Sequence, residues 1–351
     1  MAKQKLRVAV IGAGGIFRGA HLPGWQKLAD VEVVAVADIH RPTAEATAEA
    51  AGVPKERVFE DFTEMLRKVE VDIVDVCTPN KAHTPATVAS LKAGAHVICE
   101  KPLAATPAEV NKMIQARDKA GKLLMTAQHK RFTPSARALK SYIEGGALGD
   151  LYYARAWAIR RRGVPGRDTF IVHDLSGGGP CLDIGVHCLD LTMHLMGCPK
   201  PVTVTGVAPM AMAGLSDVTG LWGPWDKQKY DVEDFAAGFV RFENGASLSL
   251  ECSWLLNMKE REIFSAHLFG TKAGVQFPAA EFYTEKDGTL IDGQLVHMPQ
   301  ESGYENEIAA FHEAIVKGLP SPVPAEESLD VIKILDGIYR SHKSGREIKL
   351  A

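Results

Sequence analysis

No apolar stretch of this 351-residue chain is long enough to cross a bilayer as a helix. Neither sign of charge prevails: 40 Lys and Arg stand against 43 Asp and Glu, a formal net charge of −3. That excludes the basic footprint of a nucleic-acid binder and the polybasic signal of a membrane-surface protein. The six cysteines, Cys77, Cys99, Cys181, Cys188, Cys198 and Cys252, include no CxxC pair. A chain of this length does not need disulfide staples, so reduced thiols and a cytoplasmic setting are expected. Internal repeats and low-complexity tracts are also missing. The N-terminal run MAKQKLRVAVIGAGG places bases before apolar residues, but the run is short and ends in glycines with no cleavage-like site. It reads as a buried first strand and not as a signal peptide.

What is present is the composition of a globular protein, 46% hydrophobic and 24% charged, with length for two domains. Short continuous apolar runs alternate with helical stretches in the first part. The strands are expected at Leu6–Ile11, Val31–Ala37, Asp72–Cys77, Ala95–Cys99 and Leu123–Ala127. The helices are expected at Ala44–Ala51, Phe62–Lys68, Ala82–Ala93 and Pro107–Ala120. This is the pattern of a doubly wound parallel sheet covered on both faces, an α/β Rossmann domain over 1–130. Beyond it the pattern changes. Long strands at 151–161, 202–207, 235–242, 246–254 and 262–269 predict a second α/β domain over 131–351, with a large, mostly antiparallel open sheet. Glu243-Asn244-Gly245 between two alternating runs is a strong hairpin signal. The helix 181–196 is expected on one face of that sheet, leaving the other as a candidate dimer surface. Two helices close the chain, and the last is allowed to pack back on the first domain.

The first strand runs into Gly12-Ala13-Gly14-Gly15-Ile16-Phe17. Gly12 suits the tight turn and Gly14 a close approach of backbone to pyrophosphate, with N–H groups of the following helix facing the phosphates. Phe17 replaces the third glycine of the usual fingerprint. Asp38 ends the second strand near the expected offset of about 20 residues and can hold a ribose 2′-hydroxyl. Its charge favours NAD over NADP, although Arg41 nearby could accept a 2′-phosphate. Cys77-Thr78-Pro79-Asn80 and Glu100-Lys101-Pro102 end the third and fourth expected strands, at the sheet edge where ligands bind in open α/β folds. A lysine fixed there can stabilise an alkoxide, or it can be a solvated surface residue.

Gly177-Gly178-Gly179-Pro180 introduces CLDIGVHCLDLTMHLMG, whose polar residues Asp183, His187, Asp190 and His194 share one helical face. Asp183 and His187 read as a proton-transfer dyad at the cofactor crevice, and Asp190 and His194 as structural. A solvated polar face is the plain alternative. No HExxH or facial-triad spacing is present, and no metal is expected.

IGAGGIF, Asp38, TPNKAHTPATVASLKAGAHVICEKPLA, QHKRF, GGGPCLDIGVHCLDL and SHKSGREIKL together resemble the oxidoreductase family of glucose-fructose oxidoreductase, inositol dehydrogenase and the rhizopine-catabolism protein MocA. The resemblance spans essentially the whole chain. It implies Lys101, Asp183 and His187 as the catalytic group, with His187 the proton acceptor and often a cis peptide at Pro102. It implies NAD contacts at Gly12, Gly14, Ile16, Asp38, Asn80, His83, Glu100, Lys101 and Gln128. Gly15, Phe17, Arg41, Thr78 and Pro79 are set beside these as nucleotide-site candidates. Beside Lys101, Asp183 and His187, the substrate candidates are Arg131, Trp157, Arg160 and His173. The basic run Arg160–Arg167 can meet sugar hydroxyls or an acidic substituent, or it can be a solvated loop. Trp222-Gly223-Pro224-Trp225 can be a sugar platform or an oligomer contact, within a stretch 210–229 that reads as a functional loop or lid.

The expected activity is NAD-dependent oxidation of a ring hydroxyl of a sugar, glycoside or cyclic polyol, or reduction of the ketone. Two alternatives stand beside it: a redox-neutral NAD-dependent glycosidase and a non-enzymatic NAD- or sugar-binding protein. The expected partners are a small sugar or polyol and further copies of the chain, as a homodimer or homotetramer, with no nucleic acid and no membrane.

Overall fold

The structure, a computed structural model, describes residues 5–350. The chain forms two compact units, Met1–Phe132 with Glu301–Leu329, and Thr133–Gln300 with Asp330–Ala351. The single boundary expected at 130 is therefore replaced by several crossings, because the segment 301–329 supplies Ile308, Phe311 and Val323 to the first unit's apolar core.

The first unit is built on six parallel strands: β1 Leu6–Ile11, β2 Val31–Ala37, β3 Val58–Phe59, β4 Ile73–Val76, β5 His96–Glu100 and β6 Leu124–Ala127. Their order is β3-β2-β1-β4-β5-β6. This is the doubly wound arrangement, with its switch point between β1 and β4, where the carboxyl ends of strands leave a crevice. β1, β4 and β6 are apolar along nearly their whole length and buried, as a sheet covered on both faces requires. β3 was not expected from the sequence. It pairs only at Val36↔Val58 and Ala37↔Phe59, and two residues carry no period.

The second unit holds a nine-stranded sheet. Its strands are β7 Leu151–Arg160, β8 Pro201–Val207, β9 Phe235–Phe242, β10 Ser247–Ser253, β11 Glu262–Gly270, β12 Ala273–Phe277, β13 Glu281–Lys286, β14 Thr289–Gln294 and β15 Ile348–Lys349. Their order is β14-β13-β12-β11-β7-β10-β9-β8-β15. Every pair is antiparallel except β10 with β7. The expected hairpin is present between β9 and β10. Gly245 takes φ +85°, and the Asn244 side chain accepts from the Ala246 N–H at 3.1 Å. β13 and β14 were not expected, since EFYTEK and TLIDGQ are too polar to show a buried face. Their Asp287-Gly288 turn, with φ of 52° and 75°, was the readable signal.

Strand alternation decides the faces of this sheet. Ala154, Ala156, Ala158, Ala266 and Leu268 are buried under the helix Val186–Leu195. Tyr153, Arg155, Trp157, His267 and Phe269 stand on the opposite, partly exposed face. At the β8–β9 end the sheet carries glycines where the last helix, Ala325–Ser344, comes close. Gly206 pairs with Gly238, and a Cβ on Gly238 would lie 2.7 Å from Ile338 Cδ1. On the helix side, a Cβ on Gly337 would sit 2.4 Å from Val204 Cγ1. Gly337→Val therefore overpacks a closed interface and is expected to cost ~1–3 kcal/mol. Urea unfolding checks this: a midpoint at or above wild type would mean that helix and sheet are not in close contact there.

Candidate active site

At the switch point Gly12 takes φ +90°, and a Cβ there would lie 2.5 Å from the backbone of Cys77 and Thr78. Only glycine lets the β1 turn pass so close to the end of β4. Gly14 and Gly15, by contrast, face open space, with no atom within 4 Å of where a Cβ would be. The Ala13 N–H donates to Asp38 Oδ2 at 2.8 Å and the His40 N–H to Oδ1 at 2.9 Å, which fixes the carboxylate at the end of β2. Beside it lies a largely apolar slot bordered by Ile39, Phe62, Thr78, Pro79 and Ala82. Thr78 Oγ1 and Gln128 Oε1 are buried without a hydrogen-bond partner.

Under the end of β5 lies a buried charge network that sequence reasoning missed. His21 Nδ1 is 3.0 Å from both Asp75 oxygens, and Nε2 is 3.1 Å from Glu100 Oε1. Trp25 Nε1 donates to Asp75 Oδ2 at 2.7 Å, and the Lys101 N–H donates to Glu100 Oε2 at 2.9 Å. Both imidazole nitrogens face carboxylates, so both must donate and the ring is a cation. Burial by itself pulls the His21 pKa down, but the charge and hydrogen bonds of Asp75 outweigh it and hold it well above the ordinary value. Burial pushes the Glu100 carboxyl up, and the hydrogen bond and charge of His21 turn the net shift downward. The two directions agree on an ionised pair. The readable signal was a histidine in the helix after the glycine turn and an aspartate inside an apolar strand.

In the second unit, Cys181–Gly185 forms a wide π turn before the helix Val186–Leu195. Such turns recur at functional sites because they re-aim side chains. Asp183, in this turn, accepts from Trp254 Nε1 at 3.2 Å, and Arg160 Nη1 lies 3.8 Å from its Oδ2. His187 follows on the same helix and is partly accessible, whereas Asp190 is fully buried. Glu233, also missed from sequence, holds the turn from below. Its carboxylate accepts from the Gly179 N–H at 2.8 Å, the Cys181 N–H at 3.0 Å and Tyr339 Oη at 2.9 Å. Burial pushes its pKa up to about 7, against the opposing pull of those donors.

The other expected site residues have the following surroundings in the fold. Trp157 points to the sheet face opposite the Asp183 helix, 5.3 Å from the His267 ring, because strand alternation puts Ala156 and Ala158 on the helix side. Arg131 is buried and ion-paired with Glu327. His83 spends both ring nitrogens on the carbonyls of Pro102, at 2.7 Å, and Thr78, at 2.8 Å, so it ties two loops together. Phe17 is fully buried in the core, leaving only its backbone at the glycine turn. Arg41 is drawn to Glu45 and the Val58 carbonyl. Glu100 lies under the surface in the His21 network. His173 is exposed, with its backbone N–H bound to Asp231. Trp225 is buried and donates to the Ala213 carbonyl, whereas Trp222 is 56% exposed and remains available as a platform. Ile16 lies in the turn after β1, Asn80 follows β4 and Lys101 follows β5, and the peptide Lys101-Pro102 is cis.

Residues 6–128 match the model of the oxidoreductase family with an NAD-binding Rossmann fold, and residues 136–276 match the GFO/IDH/MocA C-terminal domain. The chain belongs to the GFO/IDH/MocA oxidoreductase family. Among its relatives is the D-glucoside 3-dehydrogenase of Escherichia coli K12, 35% identical over 351 residues, 100% of this chain and 99% of the relative. The levoglucosan dehydrogenase of Pseudarthrobacter phenanthrenivorans is 30% identical over 292 residues, 78% of this chain and 74% of the relative. The solved aldose-aldose oxidoreductase from Caulobacter crescentus, complexed with glycerol, superposes with a TM-score of 0.82 at 25% identity, covering 99% of this chain and 100% of that one. In GFO/IDH/MocA terms the first unit is the NAD-binding domain. The open space at Gly14 and Gly15, the unpartnered Thr78 Oγ1 and the slot beside Asp38 fit that cofactor. No helix among the described residues is long and apolar enough to cross a membrane.

The His21 network makes a direct prediction. His21→Leu leaves Asp75 and Glu100 buried without their cation and is expected to cost ~3–5 kcal/mol. The raised folded-state pKa means the contribution is complete below the unfolded value of 6.5 and declines progressively between that value and the higher folded one. The cost measured by denaturation should therefore be smaller at pH 8 than at pH 6 without vanishing. A cost that vanished by pH 8 would show that the buried ring is neutral there.

Proposed function

We propose that the chain is an NAD-dependent dehydrogenase that oxidises a ring hydroxyl of a sugar, a glycoside or a cyclic polyol. The observation that carries this reading is the setting of Asp183 at a π turn, held by Trp254 and close to Arg160, four residues before an accessible His187. A buried helix keeps such a polar pair at a cost, and proton transfer is the use that accounts for it. The D-glucoside and levoglucosan dehydrogenases among the relatives support the substrate class.

Bound NAD supplies the hydride acceptor. The chain's own groups handle the proton and the charge. The His187 imidazole takes the proton from the substrate hydroxyl oxygen. Asp183 orients that ring and stabilises its charged form. The Lys101 ammonium, at Nζ, donates to the developing alkoxide oxygen. The glycine turn, Ile16, Thr78, Pro79, Asn80 and Gln128 hold the dinucleotide. Asp38 takes the ribose hydroxyls and repels a 2′-phosphate. Because Arg41 is engaged with Glu45, NAD is preferred over NADP.

The test is NADH absorbance with NAD or NADP across a panel of glycosides, sugars and inositols, with mass spectrometry of the same mixtures. Sustained NADH growth is expected with one substrate class. Aglycone release without it would move the reading to a redox-neutral glycosidase. His187→Ala and Lys101→Ala should each lower kcat by ~100-fold to 10,000-fold. Wild-type turnover in both variants at saturating substrate would sink the assigned roles. For coenzyme choice, Asp38→Ser should raise the ratio of kcat/KM with NADP to that with NAD by ~10-fold, about 1.4 kcal/mol. An unchanged ratio would remove Asp38 from the selection.

A further inference from the structure

Where β7 ends, a cavity opens that is lined by Arg160, Arg162, Leu221, Trp222, Arg261 and Glu262, all within the second unit. Its walls are built by the chain. β7 and β11 bring Arg160 opposite Glu262, and the Arg161 N–H donates to the Arg261 carbonyl at 2.9 Å. Across from them, the Leu221 N–H donates to the Arg162 carbonyl at 2.8 Å, which anchors the loop that carries Trp222.

The charge in this cavity is unbalanced. Three guanidiniums line it with one carboxylate, Glu262; Arg160 takes that carboxylate at Nε, 2.9 Å, and Asp183 at Nη1, 3.8 Å, so the excess charge lies on Arg162 and Arg261. Arg162 is held only by neutral acceptors, the Arg161 and Leu256 carbonyls and Asn257 Oδ1. Among the described residues Arg261 has no carboxylate partner. Guanidiniums kept together without counter-charge repel one another, and an oxyanion that accepts two N–H bonds from each is the group that relieves this. Arg160 joins the cavity to the proposed chemistry. Its side chain is only 15% exposed, its guanidinium carbon lies 4.3 Å above the Trp222 ring, and its Nη1 is 3.8 Å from Asp183. A ligand seated on Trp222 with its anionic group among the arginines lies next to the residue that orients the proton acceptor.

We propose that this cavity is an anion subsite, and that the substrate is a sugar derivative carrying a carboxylate or phosphate group away from the oxidised carbon. This rests on the dehydrogenase reading for the chemistry, but not for the binding. Trp222 supplies the ring platform, Arg162 and Arg261 take the oxyanion, and Arg160 links the two ends.

Calorimetric titration in the presence of NAD tests it, with two matched pairs: p-nitrophenyl glucuronide against p-nitrophenyl glucoside, and glucose 6-phosphate against glucose. Wild type should bind the anionic member of at least one pair ~10-fold or more tightly than its neutral partner, and the pair that shows it tells carboxylate from phosphate. The double variant Arg162→Gln/Arg261→Gln should lose that preference and keep its affinity for the neutral member. The preference should also shrink as salt is raised. No preference in either pair, a preference that survives the double substitution, or no binding of any of the four overturns the proposal. Circular dichroism confirms that the variant is folded, and Arg261→Gln alone gives a milder form of the same loss. NADH growth in the same mixtures reads the other question. Anion preference without NADH retains the subsite and sinks the dehydrogenase, and NADH from a neutral sugar with no preference does the reverse.

Discussion

A cationic imidazole held among buried carboxylates, hydrogen-bonded to Asp75 and Glu100 and 4.0 Å from Glu307, is the constraint on which the first unit's functional end depends. His21 comes from the helical segment after the glycine turn, Asp75 from β4 and Glu100 from the last position of β5. None of these charges can stay buried alone, because each would carry an uncompensated desolvation cost of several kcal/mol. They are tolerated only when the turn and two strands meet in one register. The same register delivers the Lys101 N–H to Glu100 and brings the Gly12 backbone against the end of β4. The shape of the nucleotide turn and the placement of the lysine backbone thus follow from one electrostatic requirement.

The second unit solves a similar problem with acceptors in place of an ion pair. Glu233 gathers two backbone N–H groups and a tyrosine hydroxyl to hold the glycine turn that starts the Asp183 helix. The neighbouring Asp234 accepts from the N–H groups of Ala211, Met212 and Ala213 and so pins the start of the long irregular segment. Trp225 is folded inside that segment, and Lys227 binds the carbonyls of Leu215, Ser216 and Val218. What reads in sequence as an aperiodic stretch is a loop with its polar groups largely satisfied from within. Among its exposed residues is Trp222, stacked against Arg160.

Arg160 stands where these constraints meet. It ends β7, pairs with Glu262 on β11 and comes within 3.8 Å of Asp183. Charge on this residue therefore bears on the Asp183 carboxylate and on the cavity beyond it. A lysine would not serve equally, since a single ammonium cannot present a planar fork to Glu262 and Asp183 while stacking on an indole.

Alternating apolar strands and helices, the Asn244-Gly245 turn, the glycine cluster and the spacing of Asp183 and His187 are local features. They depend on backbone geometry over a few residues, and so they were legible without coordinates. They determined the α/β class, the parallel and antiparallel halves, the position of the nucleotide turn and the family. Tertiary structure decided what no local pattern carries. It placed the segment 301–329 in the first unit, put Trp157 on the far face of its sheet, turned Arg131 and His83 to structural bonds and assembled His21, Asp75 and Glu100 from distant segments. The physical reason is that a side chain's role is set by which charge and which donor it meets across the fold. Those meetings are made by strand order and register, and sequence spacing does not record them.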